Sequence, residues 1–517
     1  MRALLISPEL GDTYWGLRES VSMLGRKVVA PPLGLITVAA MLPKAWKLRL
    51  VNLVFEELTE ELWSWSEIVI LSGMRAHKKD LLRVVQQARA RHKTSVVGGP
   101  YATMAPDELI QAGADFVFRG EAEGGLEELL HRISSGSSDP VVQAAPHPEL
   151  TASPIPRFDL LGDPRNYAIM GVQTTRGCPF ECEFCDVINL HGRRPRHKTP
   201  EQVISELDAL HDIGWRGALF FCDDNFIGSK AYTRRLLDVL VPWIKSHGEP
   251  FNFLTQASVN LGQDRELIDL MTDGNFSWVF LGIETPDEEV LKANRKHQNV
   301  TNPLLESVTN ICANGLSVVG SFVIGFDGEK PGADERIIEF VNQAKIPMVM
   351  INRLEATPGT ALWKRLKAEN RLIEGGNGDE LESGGCDFVP TRPREQIAQE
   401  LTNVRERLYD PSEYMRRAYQ YYLTMRPTRK ALGIVEPGSQ AVAPRDSLSI
   451  RNRFGHLRSL LILVWRRGIA SRHRWQFWAQ LYTLFRRNPS RTRSYLNALG
   501  FGESLYPLRN SRSTEKR

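Results

Sequence analysis

Cys178-Pro179-Phe180-Glu181-Cys182-Glu183-Phe184-Cys185 places three thiols within eight residues, spaced C-x3-C-x2-C. Only Cys222, Cys312 and Cys386 occur elsewhere in the 517 residues, so the trio reads as a ligand cluster and not as part of a disulfide framework. Three thiolates on one short loop can hold three irons of a 4Fe-4S cluster and leave the fourth iron without a protein ligand. Structural zinc is the competing chemistry. It normally closes with four ligands, and the nearby His191 and His197 are oddly spaced for that role. A reducing compartment, the cytoplasm, is expected.

Such a loop needs a platform. Between 166 and 375, strand-like runs alternate with helical ones: 168–174, 217–221, 251–256, 278–283, 317–324 and 348–352, with helices at 200–211 and 231–245 among them. Six such repeats suit a partial or complete barrel of parallel strands, whose site lies at the carboxyl ends. Thr174-Thr175-Arg176-Gly177 ends the first strand directly before the cysteines. Other strand ends carry Cys222-Asp223-Asp224, Gln256-Ala257-Ser258, Gly282-Ile283-Glu284-Thr285 and Gly325. Each is ambiguous alone: the aspartates can cap a helix, Glu284 can sit in a salt bridge, and Cys222 reads more readily as a buried inert thiol than as a catalytic one.

Residues 1–140 alternate in the same way, with strands at 3–7, 47–53, 68–72, 94–98 and 116–119. This pattern predicts a doubly covered parallel sheet with a ligand crevice beyond its strand ends. Ser72-Gly73-Met74, Gly98-Gly99-Pro100-Tyr101 and Gly120-Glu121 stand at those ends, as tight turns or as close-approach loops for a ligand. Residues 141–165 read as a proline-rich linker, and 376–517 as a mainly helical region with a basic tail. The opening apolar run reads as a buried strand and not as a secretory signal, and no segment is apolar for long enough to span a membrane.

The overall composition, 42% hydrophobic and 24% charged, excludes a disordered chain. Its charge is unevenly spread: 445–517 carries 16 Lys and Arg against three acids, whereas 1–444 carries 49 against 58. The tail therefore suits an anionic contact. Trp475, Trp478, Leu481, Tyr482 and Phe485 share one helical face between arginines, a pattern that fits a membrane surface, a helix packed on the barrel or, less readily, nucleic acid.

With Phe184 just before its last cysteine, the loop resembles the signature of the radical S-adenosylmethionine (SAM) superfamily. Gly320–Asp327 is similar to that family's fifth-strand pattern, with Phe322 in place of isoleucine. The preceding sheet resembles that of the cobalamin-binding subgroup, and Pro31–Thr37, Ser153–Asp159 and Gly192–Thr199 resemble the branch containing the hopanoid C-2 methylase. The resemblance implies an α/β chain: a Rossmann-like cobalamin-binding domain (1–140), a linker (141–165), a radical SAM partial (β/α)6 barrel (166–375) and a helical C-terminal region (376–517). It implies Cys178, Cys182 and Cys185 on the cluster, and Phe184, Asp223, Asp224, Ser258, Glu284 and Gly325 around SAM. Cobalamin would meet Ser72, Gly73, Gly98, Gly99, Pro100, Tyr101, Gly120 and Glu121. No D-x-H-x-x-G motif supplies a lower axial histidine, and His77 lacks the matching aspartate. The implied activity is a C-methyltransferase: a 5′-deoxyadenosyl radical takes hydrogen from an unactivated carbon, which then receives a methyl group from the corrinoid. The substrate would be hopanoid- or lipid-like and the electron donor a flavodoxin or ferredoxin, with the enzyme cytoplasmic or peripheral at the inner face of the membrane and no nucleic-acid partner. The alternatives are a radical cyclisation or rearrangement, for example of a tetrapyrrole, and a corrinoid or iron–sulfur sensor.

Overall fold

A computed structural model of the chain describes residues 1–11, 13–373, 387–433, 455 and 457–509. The first sheet contains β1 (Arg2–Ser7), β2 (Lys47–Asn52), β3 (Ile68–Ser72), β4 (Thr94–Gly98), β5 (Phe116–Arg119) and β6 (Val141–Gln143), all parallel, in the order β2-β1-β3-β4-β5-β6. Alternate residues of a strand face opposite ways, so Leu4 and Ile6 join one core and Ala3 and Leu5 the other. Helix Lys78–Ala90 covers the first face with Leu81, Val84, Val85 and Ala88, and helices Leu33–Met41 and Leu126–Ser135 cover the second. β6 lies beyond residue 140, inside the stretch read as linker. Three residues after a Ser- and Gly-rich run are too few to carry a periodic signal.

Six more parallel strands form the second sheet: β7 (Met170–Val172), β10 (Gly217–Phe221), β11 (Phe251–Ala257), β12 (Phe276–Glu284), β13 (Ser317–Ile324) and β14 (Met348–Arg353). Their order is β14-β13-β12-β11-β10-β7, and the outer two do not pair, so the barrel is partial. Between β7 and β10 a short antiparallel pair, β8 (Thr175–Arg176) and β9 (Arg196–His197), brackets the cysteine loop. Two-residue strands leave no pattern in a sequence.

The C-terminal helices Arg394–Leu408, Pro411–Thr424 and Thr492–Leu505 share the barrel's core. Tyr409 Oη donates to the Val349 carbonyl (3.1 Å) and Tyr421 Oη to that of Leu316 (2.8 Å), so this region is fastened to the strands themselves. Part of the basic tail is engaged inside the fold: Arg466 pairs with Glu19 (2.9 Å) and Glu503 (3.1 Å), Arg467 pairs with Glu503, and Arg491 donates to the Arg426 carbonyl (2.8 Å). The Gly- and acid-rich loop at 375–385 and Cys386 lie outside the described residues. Among the described residues no helix is long and apolar enough to cross a membrane.

Candidate active site

The cysteine loop leaves β8 through Gly177, whose φ of 98° and close approach to the carbonyls of Arg194, Gly192 and His191 (2.9–3.1 Å from a would-be Cβ) leave no room for a side chain. Cys178 N–H donates to the Gly192 carbonyl (3.2 Å) and Cys185 N–H to that of Cys182 (3.1 Å). Glu183 pins the middle of the loop: its N–H donates to the Asn294 carbonyl (3.0 Å), and Arg365 clamps its carboxylate at 2.7 and 3.0 Å. Cys182 is buried, while Cys178 and Cys185 are partly exposed. Burial pushes the Cys178 and Cys185 thiols up, so neither is ionised without a bound cation. Among the described residues, no three His, Cys, Asp or Glu side chains converge on a single ion. Three thiols on one short loop are a donor set that suits a 4Fe-4S cluster, one iron to each thiolate.

Gln298, which the motif reading missed, donates from Nε2 to Cys182 Sγ (3.4 Å), and its Oε1 is buried without a partner. Lys296 lies over the Phe184 ring (5.6 Å) and donates to Glu284 Oε1 (2.6 Å). Burial opposes its charge, but Glu284 and the neighbouring cysteines raise its pKa on balance. Glu284 has φ of +66°, beside a register shift between β12 and β13, which is stored strain of the kind that collects at functional sites. Phe184 packs its edge on Phe326 (5.6 Å).

The two adjacent aspartates divide their work. Asp223 is fully buried and accepts from Thr174 N–H (2.6 Å), Thr175 N–H (2.9 Å) and the Thr174 hydroxyl, clasping β10 to the start of the cysteine loop. Burial pushes its pKa up to about 6, against the pull of those donors. Asp224 instead lines the main cavity and binds Gly177 N–H and His191 Nδ1, each at 2.8 Å. Ser258 bonds to Asn260 (2.6 Å) and Asn225, and Gly325, with φ of 100°, donates to Glu329 (2.8 Å). Arg353 at the end of β14 is buried and lines the cavity with its Nε and Nη2 unpartnered, so it can receive an anionic group. Cys222 also lines the cavity. Its thiol donates to the Phe220 carbonyl (3.4 Å) and is pushed up to about 12 by burial, which suits the inert reading.

Ser72, Gly73, Gly98, Gly99, Pro100, Gly120 and Glu121 line the same cavity from the first sheet, whereas Tyr101 is buried behind it and donates to Glu108 (2.8 Å). Gly99 has φ of 89°, and a Cβ there would stand 2.5 Å from Ser72 Oγ. Glu121 is committed to ion pairs with Arg176 and Arg196, both at 2.7 Å, which tie the loop after β5 to the cysteine loop. His77 lines the crevice and accepts from Met74 N–H (3.2 Å), and burial lowers its pKa, so it is neutral. The cavity encloses about 2460 Å³, against an upper bound of ~1,000 Å³ for ordinary small-molecule pockets. It has room for more than one cofactor.

A parallel sheet with an open crevice, joined at its strand ends to a partial barrel that carries a three-cysteine loop, defines a radical SAM architecture with a corrinoid module. Residues 21–130 match the B12 binding domain family, 172–341 the radical SAM superfamily and 360–517 a domain of unknown function. An uncharacterised methyltransferase of Synechocystis is 42% identical over 98% of this chain and 92% of its own length. The hopanoid C-2 methylase of Rhodopseudomonas palustris is 32% identical over 92% of this chain and 88% of its own. The chain belongs to the cobalamin-dependent radical SAM methyltransferases, enzymes whose cofactors are a 4Fe-4S cluster, SAM and cobalamin. The fold agrees with that of the methyltransferase TsrM from Kitasatospora setae, solved with cobalamin and a [4Fe-4S] cluster, at a TM-score of 0.64 and 15% identity over 91% of this chain and all of that one. It agrees also with OxsB, solved with aqua-cobalamin and SAM, at 0.61 and 14% over 99% of this chain and 80% of that one.

Proposed function

We propose that the enzyme methylates an unactivated carbon of a hydrophobic, lipid-like substrate of the hopanoid class. The observation that carries this reading is the barrel interior: Phe220, Leu254, Trp278, Phe280, Val319 and Met350 line the cavity with apolar surface. A fused-ring or polyprenyl lipid would bury its skeleton there, gaining roughly 25 cal/mol per Å². The similarity to the hopanoid C-2 methylase supports the same class.

Cys178, Cys182 and Cys185 would hold three irons, leaving the fourth for the amino and carboxylate groups of SAM. Asp224, just after β10, and the cationic Arg353, at the end of β14, would offer polar contacts to SAM from separate strands. Phe184, Asp223, Ser258, Glu284 and Gly325 would shape the strand ends around it. Ser72, Gly73, Gly98, Gly99, Pro100 and Gly120 would receive the corrinoid, with Tyr101 and Glu121 holding those loops in place. When bound, these groups supply one-electron cleavage of SAM, hydrogen abstraction and a methyl donor. The chain's own share is to orient the substrate and to keep water from the radical, which an apolar cavity does. A flavodoxin- or ferredoxin-type partner would deliver the electron, and the enzyme would work at the cytoplasmic face of a membrane.

Anaerobic incubation with methyl-labelled SAM and a hopanoid extract tests the proposal. The expected result is label in a product heavier by one methylene. Deoxyadenosine without label transfer would overturn it in favour of cyclisation or rearrangement, and neither product would overturn the substrate class.

A further inference from the structure

Nine of the seventeen large exposed apolar side chains among the described residues fall between 457 and 485. Helix Arg474–Arg487 is apolar on two sides. Phe477 and Leu484 are buried toward the body of the protein, while Trp475, Trp478, Tyr482 and Phe485, at i, i+3, i+7 and i+10, are 41–74% exposed. The preceding helical residues repeat the arrangement: Leu457, Leu461, Trp465 and Ile469, four apart, are 50–61% exposed. The two helices are locked together where Trp478 Nε1 donates to the Gly468 carbonyl (2.9 Å), and a Cβ on Gly468 would meet the Trp478 ring at 3.0 Å. Two exposed apolar stripes therefore lie on neighbouring, packed helices.

Within this stretch of chain the charge has one sign. No acid occurs from 447 to 502. Unlike Arg466 and Arg467, the exposed Arg474, Arg486 and Arg487 have no carboxylate partner among the described residues. Tryptophan and tyrosine next to leucine and isoleucine, edged by guanidinium groups with no carboxylate partner, match the boundary between headgroups and acyl chains. Nucleic acid would use the arginines and the rings but would gain nothing from the Leu–Ile stripe.

The surface is continuous with the site. Leu460, 38% exposed, lines the cavity together with Leu463, Leu496 and Phe501, and Phe501 packs on Trp278 of the barrel interior (5.8 Å between ring centres). We propose that the hairpin of residues 457–487 docks on a bilayer containing anionic lipid, and that the apolar end of the cavity beside Leu460 receives its substrate from that bilayer. The second half rests on the lipid-substrate reading above. The first half stands without it.

The test is flotation of the full-length protein with phosphatidylcholine vesicles, with and without phosphatidylglycerol. The wild type is expected to float with anionic vesicles and to be released by salt. Trp475→Glu combined with Tyr482→Glu is expected to lose binding by about tenfold or more, because interfacial affinity follows buried apolar area. Arg486→Gln with Arg487→Gln is expected to lose about 25-fold on anionic vesicles alone, near fivefold per arginine. Equal flotation of wild type and variants, absence of flotation, tighter binding to DNA, or a self-association that the tryptophan variant abolishes would each overturn the docking surface. For the route, the Glu variant should fail on vesicle-embedded lipid and match wild type on detergent-dispersed lipid; equal activity on both would overturn it. If no lipid is methylated even in detergent, the substrate reading fails, while flotation still decides the docking.

Discussion

Arg176→Gln is the substitution that tests how the two halves of the site are held together. Arg176 lies two residues before Cys178, and its guanidinium donates to Glu121 (2.7 Å) and Glu123 (3.0 Å) on the cobalamin side. The side chains of Arg176, Glu121 and Glu123 are only 13%, 6% and 2% exposed. Burial opposes the charge on Glu123, and Arg176 nevertheless holds its carboxyl below the ordinary range. In the variant Glu121 keeps Arg196, but Glu123 is left charged and stranded. Breaking a buried pair in this way costs about 3–5 kcal/mol, against ~0–1 kcal/mol for an exposed pair such as Arg407–Glu335. At roughly 2–4 °C per kcal/mol for a unit of 150–250 residues, the melting temperature should fall by at least about 6 °C. Adding Glu123→Gln should restore part of that loss, giving a coupling above ~1 kcal/mol in the double-mutant cycle. The assay is thermal unfolding with Arg407→Gln as control, together with the corrinoid retained after gel filtration. A fall no larger than the control's, with no recovery in the double variant, would refute the reasoning.

Gly99→Ala should lower corrinoid retention and cost about 1–3 kcal/mol, since it combines a positive φ with a contact 2.5 Å from Ser72 Oγ; equilibrium dialysis with hydroxocobalamin checks it. Cys222→Ser should leave SAM cleavage intact, because a thiol with a pKa near 12 is protonated at neutral pH; deoxyadenosine formation measured by chromatography is the check. Asp327 is pulled down to about 2 by Arg371 and Arg365 despite partial burial. Its contribution to stability is therefore present above the unfolded value of ~3.9 and lost as pH falls toward 2, a limb that Asp327→Asn should flatten in acid-unfolding curves.

Much of the scaffold was readable because it is repetitive. β13 is buried at every position, as its mainly apolar run suggests despite Ser317 and Ser321, and the cysteine spacing needs no tertiary information to be seen. What stayed hidden depends on direction and distance. Adjacent acids at a strand end look equivalent in a sequence, yet Asp223 turns into the core and Asp224 into the cavity. Gln298 lies 116 residues from the thiol it touches, and Arg353 matters because it lacks a partner, which no spacing reveals. The excess of basic residues in the tail was plain as a count. Its division into Arg466 and Arg467, paired with Glu19 and Glu503, and an unpaired set around exposed tryptophans was not.

The most direct measurement is electron paramagnetic resonance on the anaerobically reconstituted, reduced protein before and after SAM is added, alongside metal analysis. The expected result is about four irons per chain and a signal whose shape changes with SAM, as three cysteine ligands and one open iron require. Iron content and spectrum unaltered in Cys182→Ala, or about one zinc per chain and no SAM-sensitive signal, would contradict the account.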